Sequence, residues 1–166
     1  MKKFSLISLV SCIFLFASNT SLATSNFKIS ILQYNPNSGS AIESKSNEIS
    51  LSQKNKQVCW FNTGLKPNSI YHIKQTIISP NDGFFSMPAG ITLSNEEKTR
   101  HAIVSTNKAS AEGVINTCWA FATDTDPIGD YSLQVKVNQD EYPALKFKLN
   151  CRRRNGNCSW LGAYSP

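Results

Sequence analysis

Strict alternation of apolar and polar residues recurs along this chain, and it leaves little room for anything but β-structure. In Tyr131-Ser132-Leu133-Gln134-Val135-Lys136-Val137-Asn138 every second residue is apolar and the residues between are polar. Successive side chains of a strand point to opposite faces, so one face of this segment must be buried and the other wet. Leu145-Lys146-Phe147-Lys148-Leu149-Asn150-Cys151 repeats the arrangement with its lysines outward, which keeps a sheet face or edge in water. No window of a dozen residues holds a helical period. Further strands are expected at residues 27–31, 49–51, 58–65, 71–79, 91–93, 101–105 and 114–123, separated by Asn, Asp, Gly and Pro clusters. This pattern predicts an all-β, antiparallel two-sheet sandwich of about eight strands. Lys66-Pro67-Asn68-Ser69 supplies turn chemistry that would make residues 58–65 and 71–79 hairpin partners. Ser94-Asn95-Glu96-Glu97 has the spacing of a capping box and predicts one or two helical turns.

The first residues follow a different logic. Lys2 and Lys3 precede an apolar run over residues 4–17 and the small-residue site Ser21-Leu22-Ala23, the order of a secretory signal cleaved after Ala23. A membrane anchor would need an apolar core of roughly 20 residues. Leu9-Val10-Ser11-Cys12 has lipobox residue types, but cleavage there would leave residues 13–16 as an apolar stub, so Ala23 is the preferred site. Cleavage leaves 143 of the 166 residues and removes two lysines and no acid, which lowers the net charge from +6 to +4. The expectation is a periplasmic or secreted protein, with residues 24–166 forming one domain. So mild a positive charge does not point to nucleic acid.

Cys12 leaves with the signal, and Cys59, Cys118, Cys151 and Cys158 remain. An even count in an exported chain reads as two disulfides. Of three possible connectivities the expected one joins Cys59 to Cys118, which stand in two similar Cys-Trp strands, and Cys151 to Cys158, which are near in sequence. The spacing lacks the Cys-x-x-Cys pairs of a zinc site, and no metal or cofactor is expected.

Asp126-Pro127-Ile128-Gly129-Asp130-Tyr131-Ser132-Leu133-Gln134-Val135 resembles the turn and final strands of bacterial immunoglobulin-like domains, where a Pro-x-Gly-x-Tyr corner leads into an alternating strand. The resemblance implies an immunoglobulin-like sandwich with Cys59 and Cys118 on strands bridged either between or within sheets. Tryptophan follows each of these cysteines, at Trp60 and Trp119, unlike the antibody pattern of a lone tryptophan on an intermediate strand.

Residues that could carry chemistry are sparse. The chain has no Gly-x-Ser-x-Gly elbow and no His-Glu-x-x-His, and Ser105-Thr106-Asn107-Lys108 matches Ser-x-x-Lys without its companion motifs. His72 and His101 fall in predicted strands with no accompanying motif. Asp124, Asp126 and Asp130 surround a turn, but Ile128 and Val135 occupy positions where a calcium loop needs oxygen. Two surfaces remain. Arg152, Arg153 and Arg154 would stand on a loop closed by Cys151 and Cys158, suited to an acidic partner or serving only solubility. Phe84, Phe85 and Met87, between Gly83 and Pro88, either contact a partner or tuck under the sandwich as a lid. The sequence therefore predicts a non-enzymatic envelope or secreted module that contacts a protein or an anionic glycan. A small exported hydrolase and a fimbrial subunit, with residues 27–31 as a strand to lend, are the alternatives.

Overall fold

The computed structural model describes residues 25–35, 37–52, 55–122 and 126–151. Among them are eleven strands and no helix. They are β1 (Asn26–Tyr34), β2 (Ala41–Glu43), β3 (Glu48–Ser50), β4 (Lys56–Thr63), β5 (Ile70–Ile78), β6 (Gly90–Ser94), β7 (Arg100–Lys108), β8 (Ile115–Ala120), β9 (Gly129–Val137), β10 (Asp140–Glu141) and β11 (Leu145–Asn150). Two strands fall outside every expected segment: β2, three exposed residues at the end of an Asn- and Ser-rich loop, and β10, only two residues long. Neither is long enough to show a period.

Four strands form one sheet in the order β2-β1-β4-β8, and the other sheet runs β3-β11-β9-β5-β7-β6, with β10 also paired to β9. Of the nine pairings among the described residues all are antiparallel except β3 with β11, which is parallel. The expected hairpin of residues 58–65 with 71–79 does not form. Gly64 and Asn68 both adopt positive φ, and the connection carries the chain from the smaller sheet to the larger one. β4 is thereby free to pair with β1 and β8, and β5 with β7 and β9.

The expected helical turn at residues 94–97 is a β6–β7 hairpin turn instead. The Asn95 side-chain oxygen accepts the Thr99 and Arg100 amides at 2.9 and 2.8 Å, which organises the turn before a helix can start. β10 and β11 both pair with β9, but the sum of their register positions slips by one across Tyr142-Pro143-Ala144, a bulge at a proline with no amide to give.

Inward residues of both sheets make one core. Ile73 and Ile77 of β5, Leu133 and Val135 of β9, and Val58 of β4 are all at most 1% exposed. Burying each such side chain is worth about 1.5–3 kcal/mol. Trp60 and Trp119 cross the interior from β4 and β8, and both indole N–H groups donate to one oxygen, Gln75 Oε1 on β5, at 2.7 and 2.8 Å. That shared acceptor ties the two sheets at their centre.

Cys59 and Cys118 are bridged, within the smaller sheet. They are directly opposed residues of neighbouring strands with Cα atoms 4.1 Å apart, so the bridge staples β4 to β8 and does not join the sheets. The predicted bridge to Cys158, the arginines Arg152, Arg153 and Arg154, and the signal segment 1–23 lie outside the described residues. No helix among the described residues is long and apolar enough to cross a membrane.

Candidate functional site

β8 is an edge strand, because the smaller sheet ends there. Antiparallel neighbours alternate between closely spaced pairs without hydrogen bonds and wider pairs that exchange them. A separation of 4.1 Å makes Cys59 and Cys118 a pair of the first kind, so the amide and carbonyl of Cys118 point away from β4. By the same alternation those of Asn116 and Ala120 do too. Among the described residues these outward groups meet no strand partner. β8 reads Ile115-Asn116-Thr117-Cys118-Trp119-Ala120, with no charge, proline or bulge to discourage pairing.

Across from this edge lies the loop that connects β5 to β6. A groove of about 390 Å³ runs between them, with Thr117, Cys118, Trp119 and Ala120 on one wall and residues 84–88 on the other. Phe84, Phe85 and Met87, grouped together in the sequence, part company here. Phe85 is 4% exposed, and its ring packs on His101 at 4.8 Å and edge-on to Trp119 and Tyr131 at 6.2 and 6.4 Å. Met87 is half-buried and brings its sulfur to 4.0 Å from Gln75 Nε2. Phe84 is 77% exposed and stands on the rim between this groove and a second cleft beside β6. The loop thus buries Phe85 as a lid on the core and leaves Phe84 in solvent.

Its shape is fixed from both ends. A Cβ on Gly83 would come within 2.8 Å of the Phe85 ring, so glycine is what lets Phe85 fold inward. Thr92 Oγ1 donates to the Phe85 carbonyl at 3.0 Å, and the Gly90 amide to the Met87 carbonyl at 3.0 Å. At the far end of the groove the Asp126 carboxylate accepts the Ala122 amide at 2.6 Å. Tyr131 donates to the Pro127 carbonyl at 2.6 Å, closing the Pro-x-Gly-x-Tyr corner. Burial first, then the Asp126 charge, push the Tyr131 phenol far above its ordinary value, so it stays a donor.

His101, only 1% exposed, sits beneath the loop with Ser94 Oγ 2.8 Å from Nδ1 and Ser79 Oγ 3.5 Å from Nε2. The Ser79 hydroxyl donates onward to the Asn81 carbonyl at 2.8 Å. Burial lowers the imidazole's pKa, outweighing the Lys98 backbone and the Asp82 charge, which act the other way. A neutral ring with its proton on Nε2 satisfies every member of this chain. The orienting carboxylate of a hydrolytic triad has no counterpart, since the second ring nitrogen faces a serine. His72 is exposed, 3.5 Å from the Thr106 hydroxyl.

Residues 27–150 match the family described as PM0630 beta sandwich domain. The chain belongs to that family. No curated protein matches it in sequence. Among solved structures it is similar to a β-glucosidase from Listeria innocua in complex with glucose, at TM-score 0.39 and 9% identity over 76% of this chain and 16% of that one. It is also similar to the Pseudomonas fluorescens alkylpurine DNA glycosylase AlkC bound to DNA containing an abasic site analog, at TM-score 0.37 and 13% identity over 75% of this chain and 30% of that one. The chain spans less than a third of either protein, and neither likeness bears on what it binds.

Proposed function

We propose that this beta sandwich domain is a non-enzymatic binding module of the envelope or secreted fraction of a bacterium, and that it takes an extended segment of a partner protein along β8. The observation that carries this reading is an uncharged edge strand opening onto a groove whose other rim bears Phe84 at 77% exposure. Strand addition draws affinity from main-chain hydrogen bonds and specificity from alternate side chains. Here the backbone groups of Asn116, Cys118 and Ala120 supply the first, and Phe84, Met87 and Pro88 the second. Two features favour an immunoglobulin-like variant of the sandwich: the tyrosine corner at Pro127 and Tyr131, and the parallel pairing of β3 with the last strand.

Export and cleavage after Ala23 belong to the same reading, supported by the order of charged, apolar and small residues at the start of the chain. The fimbrial alternative gains nothing from residues 27–31, because β1 is held between β2 and β4 and is not a strand free to lend.

Panning a phage library of uncharged, alternating decapeptides against the folded protein tests the module. Bound peptides are expected to slow amide exchange at Asn116, Cys118 and Ala120. Ala120→Pro, which removes an amide that β4 does not use, and Phe84→Ser should each weaken binding about tenfold or more while leaving the fold intact. Enriched peptides that protect other amides, or that bind both variants as well as the parent, defeat the reading.

A further inference from the structure

Lys74 and Lys136 are far apart in sequence, yet the β5–β9 register sets them directly opposite each other, with Thr76 opposite Gln134 next along. All four point to the outer face of the larger sheet, since Gln75 and Val135 between them are buried. Opposed residues on one face bring their Cβ atoms to about 5 Å, where like charges repel. Arg100 of β7 closes the same cleft of about 210 Å³, which these residues line with Glu141. Among the described residues Lys74, Lys136 and Arg100 make no ion pair. The one carboxylate present, Glu141, accepts the Gln134 amide at 2.6 Å, which aims that side chain across the cleft.

We propose that this cleft is an anion pocket for the sulfate or carboxylate group of an acidic polysaccharide. Three cations converge on a site that holds a single acid, and an oxyanion between Lys74 and Lys136 turns a repulsion into two charge-assisted hydrogen bonds. The cleft is smaller than the roughly 300–1,000 Å³ of pockets that enclose a whole ligand, so it admits one charged group and leaves the rest outside. A further cation lies along the face: Lys146 is opposite Ser132, four residues or about 13 Å along β9 from Lys136, and the row ends there because Lys148 stands between Asp130 and Glu48 in register. That spacing fits a polymer with repeating anions. A sugar chain suits the face better than an acidic peptide, because β5 and β9 are interior strands whose backbone groups are taken by their neighbours. Side chains alone must do the recognising, and Gln134, half-buried where Thr76 opposite it is buried, can bond a sugar hydroxyl. The pocket stands on the opposite side of the larger sheet from its core and does not depend on the β8 groove.

Titration calorimetry of the whole exported protein with a sulfated octasaccharide, a uronate octasaccharide and polyglutamate of matched charge tests the proposal. Binding of at least one octasaccharide is expected, with the sulfated and uronate arms identifying the preferred anion. Lys74→Gln with Lys136→Gln should weaken it about tenfold or more and flatten its salt dependence. Lys28→Gln with Lys66→Gln, which removes the same charge elsewhere, should change it less than about twofold. Thermal melts confirm that both variants are folded. Equal losses in the two variants would mean net charge alone attracts the polymer and would overturn the pocket. Polyglutamate binding as tightly as the sugars, or no binding by any of the three, overturns it as well.

Discussion

The two faces of β5 treat polar residues in opposite ways. Inward, Gln75 is fully buried, and its one oxygen receives two indole N–H groups. Outward, Lys74 faces Lys136 with no acid among the described residues paired to either. A buried polar group is tolerated only when satisfied, whereas an exposed charge can stand unpaired at small cost. Satisfaction on the inner face therefore reads as architecture. Lack of it on the outer face, where nothing in the fold requires two lysines side by side, reads as a site kept for something else.

Removing the inner acceptor should give the largest effect. Gln75→Ala leaves two buried indole donors without a partner and opens a cavity, and is expected to cost about 4 kcal/mol or more in urea unfolding. A loss below about 1 kcal/mol would show that Trp60 and Trp119 find other acceptors, and the central tie between the sheets would lose its meaning.

A smaller effect concerns His101, also on an inner face. Its folded pKa lies below the unfolded value of 6.5, so the unfolded chain binds the proton more readily. The contribution is complete above the unfolded value and is lost as pH falls through it, with a slope of up to about 1.4 kcal/mol per pH unit. Stability measured between pH 7.5 and 5 should fall for the parent and less steeply for His101→Gln. Parallel curves would mean that other groups set the slope.

The smallest effect has the opposite sign and belongs to the outer face. Lys74→Glu converts a like-charge pair into an opposite one and should stabilise the fold by about 0.5 kcal/mol in low salt, with the gain shrinking as salt is added. If the variant is no more stable than the parent, the two ammonium groups are not close enough to repel and the contrast between the faces weakens.

Much of the fold is legible in the sequence because strand periodicity is a local property. The alternation of residues 131–138 and 145–151 announces β9 and β11 with their buried sides, and the repeated Cys-Trp pairs mark Cys59 and Cys118 as partners. What connects distant segments is not local. The turn residues 66–69 fit a hairpin as well as a crossing between sheets, and only the competition of β8 and β1 for β4 decides it. Gln75 looks like any strand polar residue until two tryptophans from other strands reach it. The Lys74–Lys136 contact depends on a register between segments some sixty residues apart, which no window can display. For Phe84 and Phe85, adjacency in the chain conceals opposite fates that Gly83 and the neighbouring Thr92 bond decide.

The two long sides of the sandwich are both closed by backbone, and one of them by a ring as well. On one, residues 44–47 carry the backbone itself from β2 in the smaller sheet to β3 in the larger. On the other, residues 109–114 likewise carry the backbone from β7 in the larger sheet to β8 in the smaller, and Phe85 adds a ring packed between these two strands against His101 and Trp119. Prising the layers apart would therefore strain a backbone hinge on both sides, and only on the second would an aromatic ring have to be unseated as well.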